Sequence, residues 1–312
     1  GQSYSGIIFL LQVCICVSPD SLDSFLFCCI LIMGTCIYYP FMGTLDKQNA
    51  LASLRTWTLI QDNSGPYRVY RDEKNNIYHS VTHILKETAP QHTKDALENW
   101  LKKTDSALER DIACERGKLA HSHAEFVLKL AAKFARQNSN KRGLWRTGND
   151  GLERCPKKVT QWGLQKAVES APRVSWSASG YARGLRSFIL ERVTAIHAVE
   201  FSVYKPGYGF AGTADALLDI DGEGPFIVDW KTAKEIRSDD MIEQFCHQLG
   251  AYSLGLQHLT GIKPKYGAVV VARRSGKPQI KILNNLEVRG SESIFLDRVG
   301  RYHKNLKELA VV

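Results

Sequence analysis

The chain has 312 residues, 23% of them charged and 44% hydrophobic, with a formal net charge of +9. Those fractions are ordinary for a globular protein and exclude a chain too polar to build a core; the length allows one large domain or two small ones. The charge is uneven: residues 1–42 hold no Lys or Arg and two acids, Asp20 and Asp23, so the rest carries +11. A basic body points to a polyanionic partner, nucleic acid first.

The first forty residues read differently from the rest. "GIIFLLQVCICV" (6–17) and "FLFCCILIMGTCIYYPFM" (25–42) are apolar, and five of the eight cysteines lie there. Neither stretch is a clean span of about 20 apolar residues, and no basic region marks a signal peptide. Residues 1–41 are expected to lie outside the working fold, with Met42 as a natural start; a membrane-attached segment is the alternative. Cys114, Cys155 and Cys246 are widely spaced and no C-x-x-C pair occurs. That excludes a zinc knuckle or iron–sulfur framework and fits a reducing, intracellular setting, cytoplasmic or organellar.

Two β-rich runs, 67–71 and 76–80, flank a polar turn and predict a hairpin. Ser80 is placed to N-cap a short helix over 81–87 that stops before Pro90. Residues 93–136 predict two helices meeting near 104–106, and 137–158 an exposed basic loop. Helices follow at 159–170 and 176–192. Three strands, 196–204, 208–219 and 224–232, are joined by the turns "KPGY" and "DIDGEG". A helix over 239–257, a buried strand "YGAVVVARR", a strand "PQIKIL" and an amphipathic helix over about 291–309 complete the chain. The order predicts an α/β domain on a mixed sheet. The expected organisation is 1–41 outside the core, a hairpin and helices over 42–106, and a core over 107–312 with a helical insertion at about 137–192.

"FIVDWKTAKE" (226–235) sets Asp229 and Lys231 inside an apolar strand. Alternation puts both on one face with Ile227, and Phe226, Val228, Trp230 and Thr232 on the other. In the preceding strand Ala211, Thr213, Asp215 and Leu217 share a face. In the strand before it His197, Val199, Phe201 and Val203 do, with Glu200 opposite. Carboxylates converging beside a lysine make a poor apolar core. A divalent cation with oxygen ligands resolves the repulsion; a buried Asp–Lys ion pair is the simpler reading of D-x-K alone. On the helix upstream, Gly117, His121, Ala124, Leu128, Ala131 and Ala135 form one small-residue seam, and Glu125 follows His121 at i+4. Gln248 and Tyr252 share a helix face.

Glu200, "GTADA" with Asp215, "VDWKT" with Asp229 and Lys231, "QLGAY" with Gln248 and Tyr252, and Gly117-x-x-x-His121 together resemble the PD-(D/E)XK nuclease superfamily. They are most similar to its RecB-like exonuclease branch, which includes mitochondrial genome maintenance and phage exonucleases. The resemblance covers about 110–285 and departs from the family name in having Ala214, not Pro, before Asp215. It implies a restriction-endonuclease-like core: a helix, a three-stranded meander, a helix and a strand, with N-terminal helical additions.

By that resemblance, His121, Asp215, Asp229 and the Trp230 carbonyl hold Mg²⁺ or Mn²⁺. Lys231 activates water, with Glu200 among the catalytic acids. Gln248 and Tyr252 contact the substrate, and Gly117 and Glu125 support His121. No iron–sulfur cluster or nucleotide cofactor is expected, and no helicase signature is present. The partner expected is DNA, single-stranded and attacked from an end. An endonuclease of the same superfamily and a non-catalytic nucleic-acid-binding protein are the alternatives. Lys141, Arg142, Arg146, Arg273 and Arg274 are candidates to follow the phosphate backbone. Trp145 and Trp162 are candidates to stack on bases, with core packing as the competing role.

Overall fold

The structure is a computed structural model that describes residues 27–32, 35–40, 59–102, 106–140 and 157–309. Lys141, Arg142, Trp145 and Arg146 lie outside the described residues, as does most of the 1–41 segment. The chain divides into two units, 1–47 and 48–312. In the first, β1 (Phe27–Ile32) and β2 (Thr35–Pro40) pair antiparallel. No helix among the described residues is long and apolar enough to cross a membrane.

The second unit is built on a nine-stranded mixed sheet. A small antiparallel meander, β3 (Ile60–Asp62), β4 (Val69–Arg71) and β5 (Ile77–Ser80), enters first. The Asp72 carboxylate closes its turn, accepting from the backbone amides of Lys74 and Asn76 and from the Tyr78 hydroxyl. Ser80 caps α1 (Val81–Glu87), its Oγ accepting from the His83 amide at 3.1 Å. Then come α2 (Gln91–Leu101), α3 (Ser106–Asn140), β6 (Lys157–Lys158), α4 (Gln161–Ser170) and α5 (Trp176–Arg192). The long strands β7 (Val193–Lys205), β8 (Phe210–Ile220) and β9 (Glu223–Ala233) form an antiparallel meander. After α6 (Asp239–Thr260), β10 (Tyr266–Arg273) returns parallel to β9. Antiparallel β11 (Gln279–Leu283) and α7 (Asn285–Leu309) end the fold.

Helices cover both faces. On one, α1, α6 and α7 pack through Ile84, Leu249, Tyr252 and Phe295 onto Ile227, Val269 and Val271. On the other, α3, α4 and α5 pack through Ala124, Leu128, Leu185 and Phe188 onto Val228, Trp230 and Val270. The faces of β9 are those its alternation predicts. Each fully buried large aliphatic or Phe side chain contributes about 1.5–3 kcal/mol, so two cores of this kind hold the sheet from both sides.

Three expectations are corrected. Val199 and Phe201 do not share a face: Val199 packs with the α3–α5 core and Phe201 with the α6–α7 core. Glu200 between them has φ +49°, a left-handed residue that interrupts the two-residue alternation. The same shift occurs on β8, where Ala214 and Ala216 face opposite cores across Asp215.

The hairpin ahead of the core joins the same sheet, since β5 is hydrogen-bonded to β8. The last helix starts at Asn285, not near 291: Asn284 Oδ1 accepts from the amides of Leu286 and Glu287, while Glu287 Oε2 accepts from the Asn284 amide. That reciprocal capping box was present in the sequence as Asn284-x-x-Glu287. Finally α3 runs on to Asn140, past the expected loop start at 137.

Candidate active site

The sheet forks at Asp215. β7 follows one edge of β8 along its whole length. The other edge is shared: β9 pairs with Ala216–Ile220, and β5 pairs with Phe210 and Ala211. Between these partners no strand among the described residues lies beside the edge of β8, and Asp215 sits in the gap. A backbone group left unpaired at such a fork needs another partner. Asp215 supplies one: its Oδ2 accepts from the Trp230 amide of β9 at 2.6 Å. The kinks at Glu200 and Asp215 thus free side chains that a regular strand would commit to a core.

Six of the expected residues meet at this fork: Asp215, His121, Asp229, Lys231, Gln248 and Tyr252. His121 comes from α3, its Nδ1 3.6 Å from Asp215 Oδ1. Gly117, one turn earlier, makes the approach close: a Cβ there would lie 3.2 Å from Thr232 Oγ1, tighter than an ordinary contact, so the Thr232 side chain would have to give way. From β9, Asp229 is buried and pairs through Oδ2 with the Lys231 ammonium. From α6, on the other face, Gln248 Nε2 donates to Asp229 Oδ1 at 3.0 Å and to the Tyr252 hydroxyl at 2.6 Å. Lys231 Nζ also lies 5.2 Å from the centre of the Phe245 ring. The two helical layers therefore supply side chains to one cluster through the open fork.

The electrostatics follow from burial and proximity. Burial first, and then the Asp215 charge, push Asp229 up to about 6 against the pull of Lys231. Burial also works to raise Asp215, but its pairing with His121, then the charge of Lys231 and the Trp230 amide, hold it below its ordinary value. Burial works to lower His121, and its pairing with the Asp215 carboxylate, together with the charge of Asp229, outweighs this and raises it. Glu200 is pushed up to about 7, by burial and then by the charges of Asp215 and Glu125. Burial raises the Tyr252 phenol well above its ordinary value.

Other expected residues fall outside this cluster of contacts. Glu125 binds Lys129 at 2.5 Å, although its charge reaches Glu200. His123, two residues after His121 and not among the expected site residues, is buried, with its Nε2 unpartnered and its pKa lowered by burial. Arg273 is tied into its own turn, donating to the Lys277 carbonyl at 3.0 and 2.7 Å. Trp162 is exposed and tilts against Phe134. Phe245 was not singled out from sequence; its position at i−3 from Gln248, on the same helical face, was the available signal.

Among the described residues no group of three or more His, Cys, Asp or Glu is clustered tightly enough to enclose a metal ion by itself. The donor set nevertheless fits a hard cation that takes one or two carboxylates and completes its shell with water and phosphate. Asp229 Oδ2 is buried and makes no hydrogen bond beyond its ion pair, and Asp215 stands across the fork from it. Beside the cluster lies a cleft of about 500 Å³ between α1, α2 and α6, whose inner wall includes Phe245 and Gln248.

The sequence matches the family model of the PD-(D/E)XK nuclease superfamily over residues 85–302, more than half of the chain. No curated protein matches it. A three-stranded meander flanked by helices, with an acid and a D-x-K pair meeting at its fork, is the restriction-endonuclease-like fold of that superfamily. Its enzymes hydrolyse nucleic acids, typically with Mg²⁺ or Mn²⁺. On this match and this architecture together, the chain belongs to the PD-(D/E)XK nuclease superfamily.

Proposed function

We propose that this protein is a metal-dependent exonuclease of RecB-like type that degrades single-stranded DNA from an end. The observation that carries the reading is the meeting of Asp215, Asp229 and Lys231 at the sheet fork, reached by His121 from one layer and Gln248 from the other. Asp215, Asp229, His121 and the Trp230 carbonyl would hold the ion. Bound there, Mg²⁺ or Mn²⁺ supplies Lewis-acid polarisation of the phosphate and neutralises developing charge.

The chain's own residues do the rest. Lys231 holds and orients a water for in-line attack on the phosphodiester. The water oxygen forms the new bond to phosphorus, and the bond to the leaving oxygen breaks. Gln248 fixes Asp229 through Oδ1 and leaves its Oδ2 turned to Lys231. Gln248, braced by the buried Tyr252 hydroxyl, forms the wall against which substrate backbone lies. Glu200, with its pKa near neutrality, is suited to take up a proton as the water is deprotonated.

End-dependence is supported by the cleft. None of the residues of α2 is buried, and its Thr93, Lys94, Leu97, Glu98 and Leu101 line the cleft that Phe245 and Gln248 line from α6. In its lining Lys86 and Lys94, beside Glu87 and Glu98, offer cations to backbone phosphates, and Phe245 offers one aromatic face, contacts that read no sequence. The test compares a linear single-stranded oligonucleotide with its ligated circle, with and without Mg²⁺. Cleavage of the linear form alone, and only with metal, is expected. Equal cleavage of both would make the enzyme an endonuclease.

A further inference from the structure

Two arginines near the catalytic end of the sheet lie on aromatic rings and have no carboxylate partner among the described residues. The Arg116 guanidinium is 5.6 Å from the centre of the Tyr181 ring, and its buried Nε makes no hydrogen bond. The Arg274 guanidinium is 5.5 Å from the centre of the Trp176 ring. Trp176 is 82% exposed, the highest value among the large apolar side chains described.

The exposure of Trp176 follows from how α5 is seated. Trp176, Gly180 and Gly184 repeat every four residues and share one face of the helix. A Cβ on Gly180 would fall 1.9 Å from the Arg274 carbonyl oxygen, so only glycine lets the helix rest on the end of β10. One turn earlier the strand has ended at Arg273, and Trp176 overhangs with Arg274 beneath it.

The two pairs also lie in sequence from the catalytic lysine. Lys231 is level with Val271 in the parallel ladder. Thr232, the next residue, meets α3 at Gly117, beside Arg116. Arg274 is three residues beyond Val271, about 10 Å further along the strand direction. A guanidinium placed over a ring, with no carboxylate to bind, keeps N–H donors free for phosphate.

We infer that Arg116, Tyr181, Arg274 and Trp176 form a track for single-stranded nucleic acid leading away from the scissile phosphate. The arginines hold backbone phosphates, and Trp176 stacks on a base. The inference rests on the nuclease reading above and adds to it a binding surface outside the catalytic cluster.

The experiment measures fluorescence-anisotropy binding of a labelled oligo-dT without divalent metal, so that no turnover intervenes. Trp176→Ala is expected to weaken binding about tenfold, within the range for loss of one stacked base, while Trp176→Phe retains most of the affinity. Arg274→Ala is expected to reduce the slope of log K against log salt by about 0.7, one phosphate contact on a single strand. Circular dichroism confirms that each variant is folded. If the wild-type chain binds and Trp176→Ala binds equally well, the track is wrong and the nuclease reading stands. The same follows if the salt slope of Arg274→Ala is unchanged. If the wild-type chain binds no oligonucleotide, both readings fall and the surface belongs to another partner class.

Discussion

Lys231 is held between Asp229 and the ring of Phe245, so its ammonium has one ionic partner and one face left toward the fork. A lysine kept there only for stability would be replaceable: a buried pair is often no better than apolar packing of similar volume. The catalytic role makes a different prediction. Lys231→Ala and Asp229→Asn should each reduce cleavage by about a thousandfold or more with circular dichroism unchanged. The double variant should be little worse than either single, because groups acting as a unit are non-additive. A folded variant with near wild-type turnover would remove the assignment.

Glu200 allows a test with pH. Its folded pKa, about 7, is above the ordinary carboxylate value, so folding favours the protonated form. The group therefore costs stability as pH rises from its unfolded value through 7, and costs nothing below that window. Glu200→Gln removes the titration and should raise Tm at pH 8, with the gain vanishing toward pH 4. An equal gain at both pH values would mean that the carboxylate charge is not responsible.

At the scale of elements, the cleft depends on a buried arginine. Arg298 on α7 donates from Nε to Thr88 Oγ1 at 2.9 Å and from Nη1 to Gln244 Oε1 at 2.6 Å. It also reaches the Leu85 carbonyl and His247 Nδ1, so it ties the end of α1 to α6. Leu85 and Gln244 both line the cleft. Burial, and then the charge of Arg301, lower its pKa to about 10, and the hydrogen bonds are what make the buried cation tolerable. Arg298→Ala strands several buried acceptors at about 1–3 kcal/mol each. Urea denaturation should show a loss of at least that size, and KM for oligonucleotides should rise as the cleft wall loosens. A variant of unchanged midpoint would show that α1 is held by apolar packing alone.

At the scale of the whole molecule, the unit over 48–312 contains every residue of the cluster, from Gly117 to Tyr252. A chain beginning at Met42 is expected to unfold at the same temperature as the full chain and to retain its nuclease rate. Calorimetry and the linear-oligonucleotide assay check this, and loss of either would place the first segment inside the working domain.

Most elements were legible because their signals are local. The alternation of β9, the Ser80 cap and the turns between the long strands depend on neighbours a few residues away, and the structure keeps them. Asp215, Asp229 and Lys231 stood out because charged side chains in apolar strands have few structural uses. What sequence could not give was where the strands part. The fork arises because β8 changes partner from β5 to β9, strands distant from each other in the chain, and because Glu200 and Asp215 sit at facing kinks. Alternation alone therefore misassigned Val199 and Phe201 to one face. Trp176 was likewise invisible as a surface feature: an aromatic residue at a helix start reads as core, and only the seating of α5 on the end of β10 leaves it in solvent. Residue chemistry and local periodicity are written in the chain, whereas strand partners and helix seating are settled by packing between distant segments, and that packing places the chemistry.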